Sequence, residues 1–106
     1  MWWTILIILA VIILAVTIIK TRGNGVSEKI AKCIGENSVI YTQLGCHACR
    51  IQEEMFGENY KHLKVIDCFY EKDKCEEISL TPTWMVKGQK YTGVQSIEKL
   101  KELTGC

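Results

Sequence analysis

The chain opens with eighteen uncharged positions: residues 2–19, WWTILIILAVIILAVTII, contain no charge, no proline and no glycine. A helix of that length spans roughly 27 Å at ~1.5 Å per residue, close to the ~30 Å hydrocarbon core of a bilayer. The many β-branched residues lower helix propensity in water, but in lipid the backbone must satisfy itself, and a helix follows. Trp2 and Trp3 suit one interface; Lys20 and Arg22 mark the other. A cleaved signal peptide would have a basic start, a shorter apolar core and an Ala-x-Ala-like site. Here the amino terminus is the only positive charge before the core, and no such site is evident. The pattern predicts a transmembrane anchor over 1–20, a polar linker over 21–26 and a separate domain over 27–106.

Beyond the anchor the periodicity alternates between helical and extended. Val26, Ile30, Cys33 and Ile34 form an apolar stripe at helical spacing, with Ser27 as cap and Gly35 as stop. SVIYTQ, 38–43, is β-branched and aromatic and reads as a strand. Residues 46–56 read as a helix with Ile51, Met55 and Phe56 inward and Gln52, Glu53 and Glu54 outward. A strand over 62–69 follows, then a polar loop, YEKDKCEEIS, with a helical turn. Residues 81–93 read as a hairpin turning at Gly88, and 96–105 as a closing helix with Ile97, Leu100 and Leu103 inward. A βαβ unit feeding a ββα unit predicts an α/β fold: a mixed central sheet with helices on both faces, three layers in all.

Charge adds little to this picture. Thirteen basic and twelve acidic residues leave a formal net charge of +1, and every charged side chain lies at position 20 or later. No basic patch is interleaved with aromatics, which argues against a nucleic-acid surface. Cysteine changes the picture more. Six cysteines in 106 residues favour disulfides in an oxidising compartment, and metal or catalytic roles in a reducing one. The anchor makes an extracytoplasmic domain plausible. Lys20 and Arg22, on the domain side of the span, taken alone favour the opposite orientation.

The chemistry concentrates in YTQLGCHACRIQEEMFG, residues 41–57. Cys46 falls where strand gives way to helix, and unpaired N–H groups and the positive end of the helix dipole favour a thiolate there. A protonated His47 would add to this. Cys46 is therefore expected to have a lowered pKa and to be the attacking sulfur, with Cys49 one turn on as the resolving one. Two other readings stand beside this. With Cys68 and Cys75 the spacing is C-x2-C-x18-C-x6-C, which suggests a zinc site but lacks the second tight knuckle of a zinc ribbon. The pair could also be a local staple, although so short a loop restrains the unfolded chain little.

Pro82, in LTPTW, is the only proline. It belongs at a strand start or edge, and its peptide bond is a candidate for cis. A strand–Cys-x-x-Cys–helix followed by TPTW resembles the thioredoxin superfamily. CHACRIQEEMFG, VIDC, the cysteine seven residues on, and PTWMVKGQKYTGVQSIEKLKELTG narrow the likeness. Together they are similar to the thioredoxin-like domain accompanying bacterial and archaeal vitamin K epoxide reductase homologues. The likeness covers residues 38–105 and leaves out the anchor, the linker and the first helix.

The resemblance implies a thiol–disulfide oxidoreductase with no cofactor beyond a redox-active Cys46–Cys49 disulfide, and with no metal. It implies substrate contacts at Thr81, Pro82 and His47, with the Thr81 backbone pairing an extended client segment. Cys68 and Cys75 correspond to a second, structural disulfide; both flank a polar loop that a bridge would pin. The implied partners are cysteine-containing client proteins and a quinone-linked, vitamin K epoxide reductase-like membrane protein that reoxidises the pair. Disulfide donation outside the cytoplasm is the first functional reading. A reductase of the same fold and a membrane-tethered zinc or adaptor module are the alternatives. The chain departs from relatives at Gly45 and His47, where an aromatic and a proline are common. No acidic residue lies between Asn37 and Glu53, so proton transfer from Cys49 falls to water or Glu53. Cys33 reads as a buried free thiol and Cys106 as an exposed one, with a bridge between them disfavoured by helices on opposite faces. His62 reads as a surface residue and Trp84 as core or groove lining.

Overall fold

A computed structural model describes residues 1–22 and 26–106, with side chains described for 1–16 and 26–106. The elements are helix α1 (Trp2–Arg22), α2 (Glu28–Asn37), strand β1 (Ser38–Thr42), α3 (His47–Phe56), a 3-10 helix (Gly57–His62) and β2 (Val65–Asp67). A 3-10 turn (Lys72–Cys75), β3 (Thr83–Val86), β4 (Gln89–Thr92) and α4 (Ile97–Thr104) complete the chain. The described side chains of α1 are exposed all around the helix. Among the described residues no helix is long and apolar enough to cross a membrane. The fully described apolar stretch ends at Val16, and the anchor expected over 1–20 runs past it. Most of the expected linker, including 23–25, lies outside the described residues. Val26 belongs instead to the domain: it is buried, and the Asn59 side-chain amide donates to its carbonyl at 2.9 Å.

The four strands lie in the order β2-β1-β3-β4. β1 pairs parallel with β2, with Ile40 opposite Val65, and antiparallel with β3, with Ile40 opposite Trp84. β4 is antiparallel to β3, joined by a tight turn at Lys87 and Gly88, where the sequence placed it. A parallel βαβ unit followed by a ββα unit, with β3 alone running against the others, is a thioredoxin-like arrangement. The Thr81–Pro82 peptide is cis and leads into β3.

The layering differs from the three-layer expectation. Ala31 and Ile34 of α2, Phe56 of α3 and Leu100 of α4 join Ile40, Trp84 and Val86 in one core cluster. All three helices therefore cover the same sheet face. The opposite face carries Val39, Tyr41 and Met85, all half-buried. Among the described residues the loop after β2 covers it: Asp73–Ile78 lie over Tyr41 and Met85, and the Lys90 ammonium donates to the Glu77 carbonyl at 2.8 Å. The connection from β2 to β3 is too polar to supply a helix with an apolar face, so one layer is missing.

Three local expectations also give way. The first helix passes through Gly35 and ends at Asn37, because Gly35 marks a close approach and not a stop. A Cβ there would run into the carbonyl of His62. The strand expected over 62–69 shortens to Val65–Asp67, since Gly57–His62 coil into a 3-10 helix packed on α2. His62 is largely covered, its side chain 17% exposed, with Nε2 3.4 Å from a Glu28 carboxylate oxygen outside hydrogen-bonding geometry. Lys32, hydrogen-bonded to Glu28, holds that carboxyl below its usual range, and His62 adds to the effect.

Cys33 and Cys106 form a disulfide, with Cα atoms 6.0 Å apart, contrary to the expectation of two free thiols. The expectation failed because it placed their helices on opposite faces, whereas α2 and α4 pack side by side. Cys68–Cys75 and Cys46–Cys49 are also bridged, so all six cysteines are paired. The bridges span very different loops, 73 residues against 7 and 3. Loop-closure entropy assigns about 4 kcal/mol to the first and about 2.5 kcal/mol to Cys68–Cys75. Replacing Cys33 and Cys106 together by alanine is expected to lower the urea unfolding midpoint more than replacing Cys68 and Cys75; equal losses would contradict the ranking.

Candidate functional site

The site grows from the exit of β1. Thr42 ends the strand, and its carbonyl accepts from the Cys68 N–H at 2.8 Å, which ties β1 to the end of β2. Gln43–Gly45 then turn the chain. The Cys46 N–H donates to the Gln43 carbonyl at 2.9 Å, and Gly45 sits at φ 86°, a left-handed conformation that glycine adopts without a Cβ penalty. The Asp67 carboxylate accepts from the Leu44 N–H at 3.2 Å and the Phe69 N–H at 2.9 Å. One carboxylate oxygen thus holds both the turn into the motif and the turn leaving β2.

Cys46 is the N-cap of α3, at φ −78° and ψ 113°. Its sulfur fills the place a capping oxygen usually takes and accepts from the Cys49 N–H at 3.1 Å. The Thr81 hydroxyl donates to the same sulfur at 3.4 Å, and the Thr81 carbonyl oxygen lies 3.6 Å from it. In the disulfide that last pair is a contact only, because the sulfur carries no hydrogen. In the reduced protein two donors meet a sulfur at a helix N-terminus, which favours the thiolate. Cys49 is 6% exposed, whereas Cys46 is only half-buried. The pair is therefore asymmetric: one sulfur is open to a partner and the other is screened by the fold.

The structure brings Thr81 into direct contact with Cys46 and buries Pro82 behind it. The Pro82 carbonyl accepts from the Gly93 N–H at 2.7 Å, which fixes the cis-proline loop against the end of β4. His47 is exposed, and with Cys46, Cys49, Glu53, Tyr60 and Asp67 it lines a cleft of about 390 Å³ that Thr81 and Pro82 do not line. It thus stands beside the dithiol but apart from the cis-proline side. Cys68 and Cys75 close the loop over the other sheet face, with Cα atoms 5.7 Å apart. The four cysteines that a zinc site would need are instead paired in two separate disulfides.

Three residues near the motif escaped the sequence reading. Burial, then the carboxylates of Glu53 and Asp67, push the Tyr60 phenol up to about 12, so it stays protonated at neutral pH. Asp67 ends a strand parallel to β1, and the carboxyl ends of parallel neighbours converge on one edge; that rule would have found it. Gln52 was placed outward and Ile51 inward, and the structure reverses them: Gln52 is fully buried and Ile51 is 42% exposed. The inner face is Cys49, Gln52 and Phe56, at the i, i+3, i+7 spacing of one helical stripe.

No protein-family sequence model matches this chain. Among solved structures, the chain is similar to the NTD_N/C domain of alkylhydroperoxide reductase AhpF from Enterococcus faecalis. The TM-score is 0.42 and the identity 20%, over 77% of this chain and 46% of that one. This chain thus spans less than half of that structure's length. Strand order, the cis-proline and the position of Cys46 are those of a thioredoxin-like fold, with the Cys46–Cys49 bridge at the head of α3.

Thr81→Val removes the hydroxyl donor and keeps the volume. The pH midpoint for iodoacetamide labelling of reduced Cys46 is expected to rise, with labelling at pH 6 slowed several-fold. An unchanged profile would show that the hydroxyl does not stabilise the thiolate.

Proposed function

We propose that the protein is a membrane-anchored thiol–disulfide oxidoreductase that donates disulfides to extracytoplasmic proteins. The observation that carries the reading is the half-buried Cys46 sulfur at a helix N-cap, in contact with Thr81 of a cis-proline loop. A client thiolate attacks Cys46 Sγ, the Cys46–Cys49 bond breaks, and Cys49 leaves as a thiolate that takes up a proton. A second client thiolate then attacks the client sulfur of the mixed disulfide. The client leaves oxidised by two electrons, and the protein keeps them as two thiols. A quinone-linked membrane protein of the vitamin K epoxide reductase type is the proposed oxidant that restores the bond.

The client approaches along Thr81, whose backbone carbonyl flanks the reacting sulfur and suits an extended segment. His47, exposed beside the sulfur, is a proposed substrate contact on the other flank. The pairing of all six cysteines supports an oxidising compartment, since disulfides persist there and are rare in the cytosol. The anchor rests on the uncharged run 2–19 of α1, whose described side chains, up to Val16, are exposed all around the helix. Such a helix needs an apolar surrounding, because exposed apolar area of that extent is unfavourable in water.

Equilibration of the full chain with glutathione buffers separates oxidant from reductant. An oxidant is expected to poise nearer ~−120 mV than ~−270 mV; a value near the latter would reverse the direction of electron flow. Cys49→Ala should trap clients as mixed disulfides on Cys46.

A reporter fused after Cys106 tests the anchor and its orientation. Activity confined to the outside of the inner membrane, lost when residues 2–16 are deleted, is the expected result. A cytoplasmic C-terminus would overturn the localisation.

A further inference from the structure

We infer that Gln52 is the positioning residue that sets the dithiol helix against the cis-proline loop; this rests on the redox function proposed above. Gln52 lies one turn after Cys49 on the inner face of α3 and has no exposed surface. Its Oε1 accepts from the Trp84 indole N–H at 3.0 Å and from the Gln95 backbone N–H at 2.7 Å. Its Nε2 donates to the Gln95 carbonyl at 3.0 Å and lies 3.5 Å from Met55 Sδ. Two facing N–H groups require an acceptor, so the network fixes the orientation of the amide.

These contacts close a circuit around the site. Trp84 stands two residues after Pro82, and Gln95 two residues after Gly93, whose N–H holds the Pro82 carbonyl. From Pro82 the chain steps back to Thr81, which touches Cys46. One side chain thus links the Cys49 turn of α3 to β3, which follows the cis-proline loop, and to the segment after β4 that holds that loop. With the primary amide paired to a backbone amide in both directions, α3 cannot slide or rotate against β3 without leaving buried polar groups unpaired. The distance from Thr81 to Cys46 is held by this lock, and the balance between disulfide and thiolate follows it.

The test uses full-length wild type, Gln52→Met and Gln52→Glu in detergent, each equilibrated with glutathione and labelled at Cys46 across pH. Gln52→Met keeps the volume and removes both polar functions. It is expected to shift the dithiol–disulfide equilibrium constant at least tenfold, about 30 mV, and to move the labelling profile. Gln52→Glu offers a carbonyl and an O–H in place of a carbonyl and an N–H when its acid is protonated. It is expected to approach wild type at low pH and to depart from it as pH rises. A lower melting temperature in Gln52→Met with wild-type equilibrium and labelling would overturn the inference and leave Gln52 a structural tie. A wild type that exchanges no disulfide with glutathione would overturn the redox function, and the positioning role with it.

Discussion

The indole of Trp84 has no exposed surface, and its N–H must find an acceptor inside an apolar core. Gln52 supplies it, and much of the domain is arranged around that demand. Trp84 lies opposite Ile40 on β1 and Tyr91 on β4, with its ring 6.0 Å from that of Phe56. The ring belongs to the one cluster to which α2, α3 and α4 contribute Ala31, Ile34, Phe56 and Leu100, all on the same sheet face. The polar hydrogen bond then fixes what apolar packing alone leaves free, the rotation and register of α3. Since α3 begins at Cys46, core packing and redox geometry are one constraint.

Packing on a single face creates a deficit elsewhere. The sheet's other face is covered by a polar loop with little apolar surface, and a domain of this size buries a small core. The disulfides answer the deficit at two scales. Cys68–Cys75 pins the loop that covers Tyr41 and Met85. Cys33–Cys106 ties α2 to the segment just past α4. The Cys46–Cys49 loop contributes least to stability. The bridge that can open in exchange is the one whose opening costs the fold least.

Much of the architecture was legible in the sequence, for identifiable reasons. Strands announced themselves through β-branched runs, α2 and α4 through Ser27 and Ser96 as caps, and the hairpin through Gly88. The Cys46–Cys49 pair stands out in the sequence because a Cys-x-x-Cys at a strand-to-helix junction leaves a local pattern, whereas Thr81 came into view only through the resemblance carried by TPTW. What stayed hidden was set by tertiary contact. Gln52 looks like a surface residue until the indole N–H of Trp84 gives it a partner. Gly35 looks like a helix stop until the His62 carbonyl is seen to occupy the place of its Cβ. Asp67 gains its role only when β2 lies parallel to β1. The number of helical layers depended on whether the stretch between Cys68 and Thr81 could form an apolar face, and the Cys33–Cys106 pairing depended on that same count.

The asymmetry between the two sulfurs connects fold to exchange. A sulfur that exchanges with a partner needs access and a field that stabilises its thiolate, and Cys46 has both: partial exposure, the Cys49 N–H and the Thr81 hydroxyl. A resolving thiol needs proximity and protection, and Cys49 has both through its burial on the Gln52 face of α3. Were both sulfurs equally open, a mixed disulfide could form on either and clients would be held in two geometries.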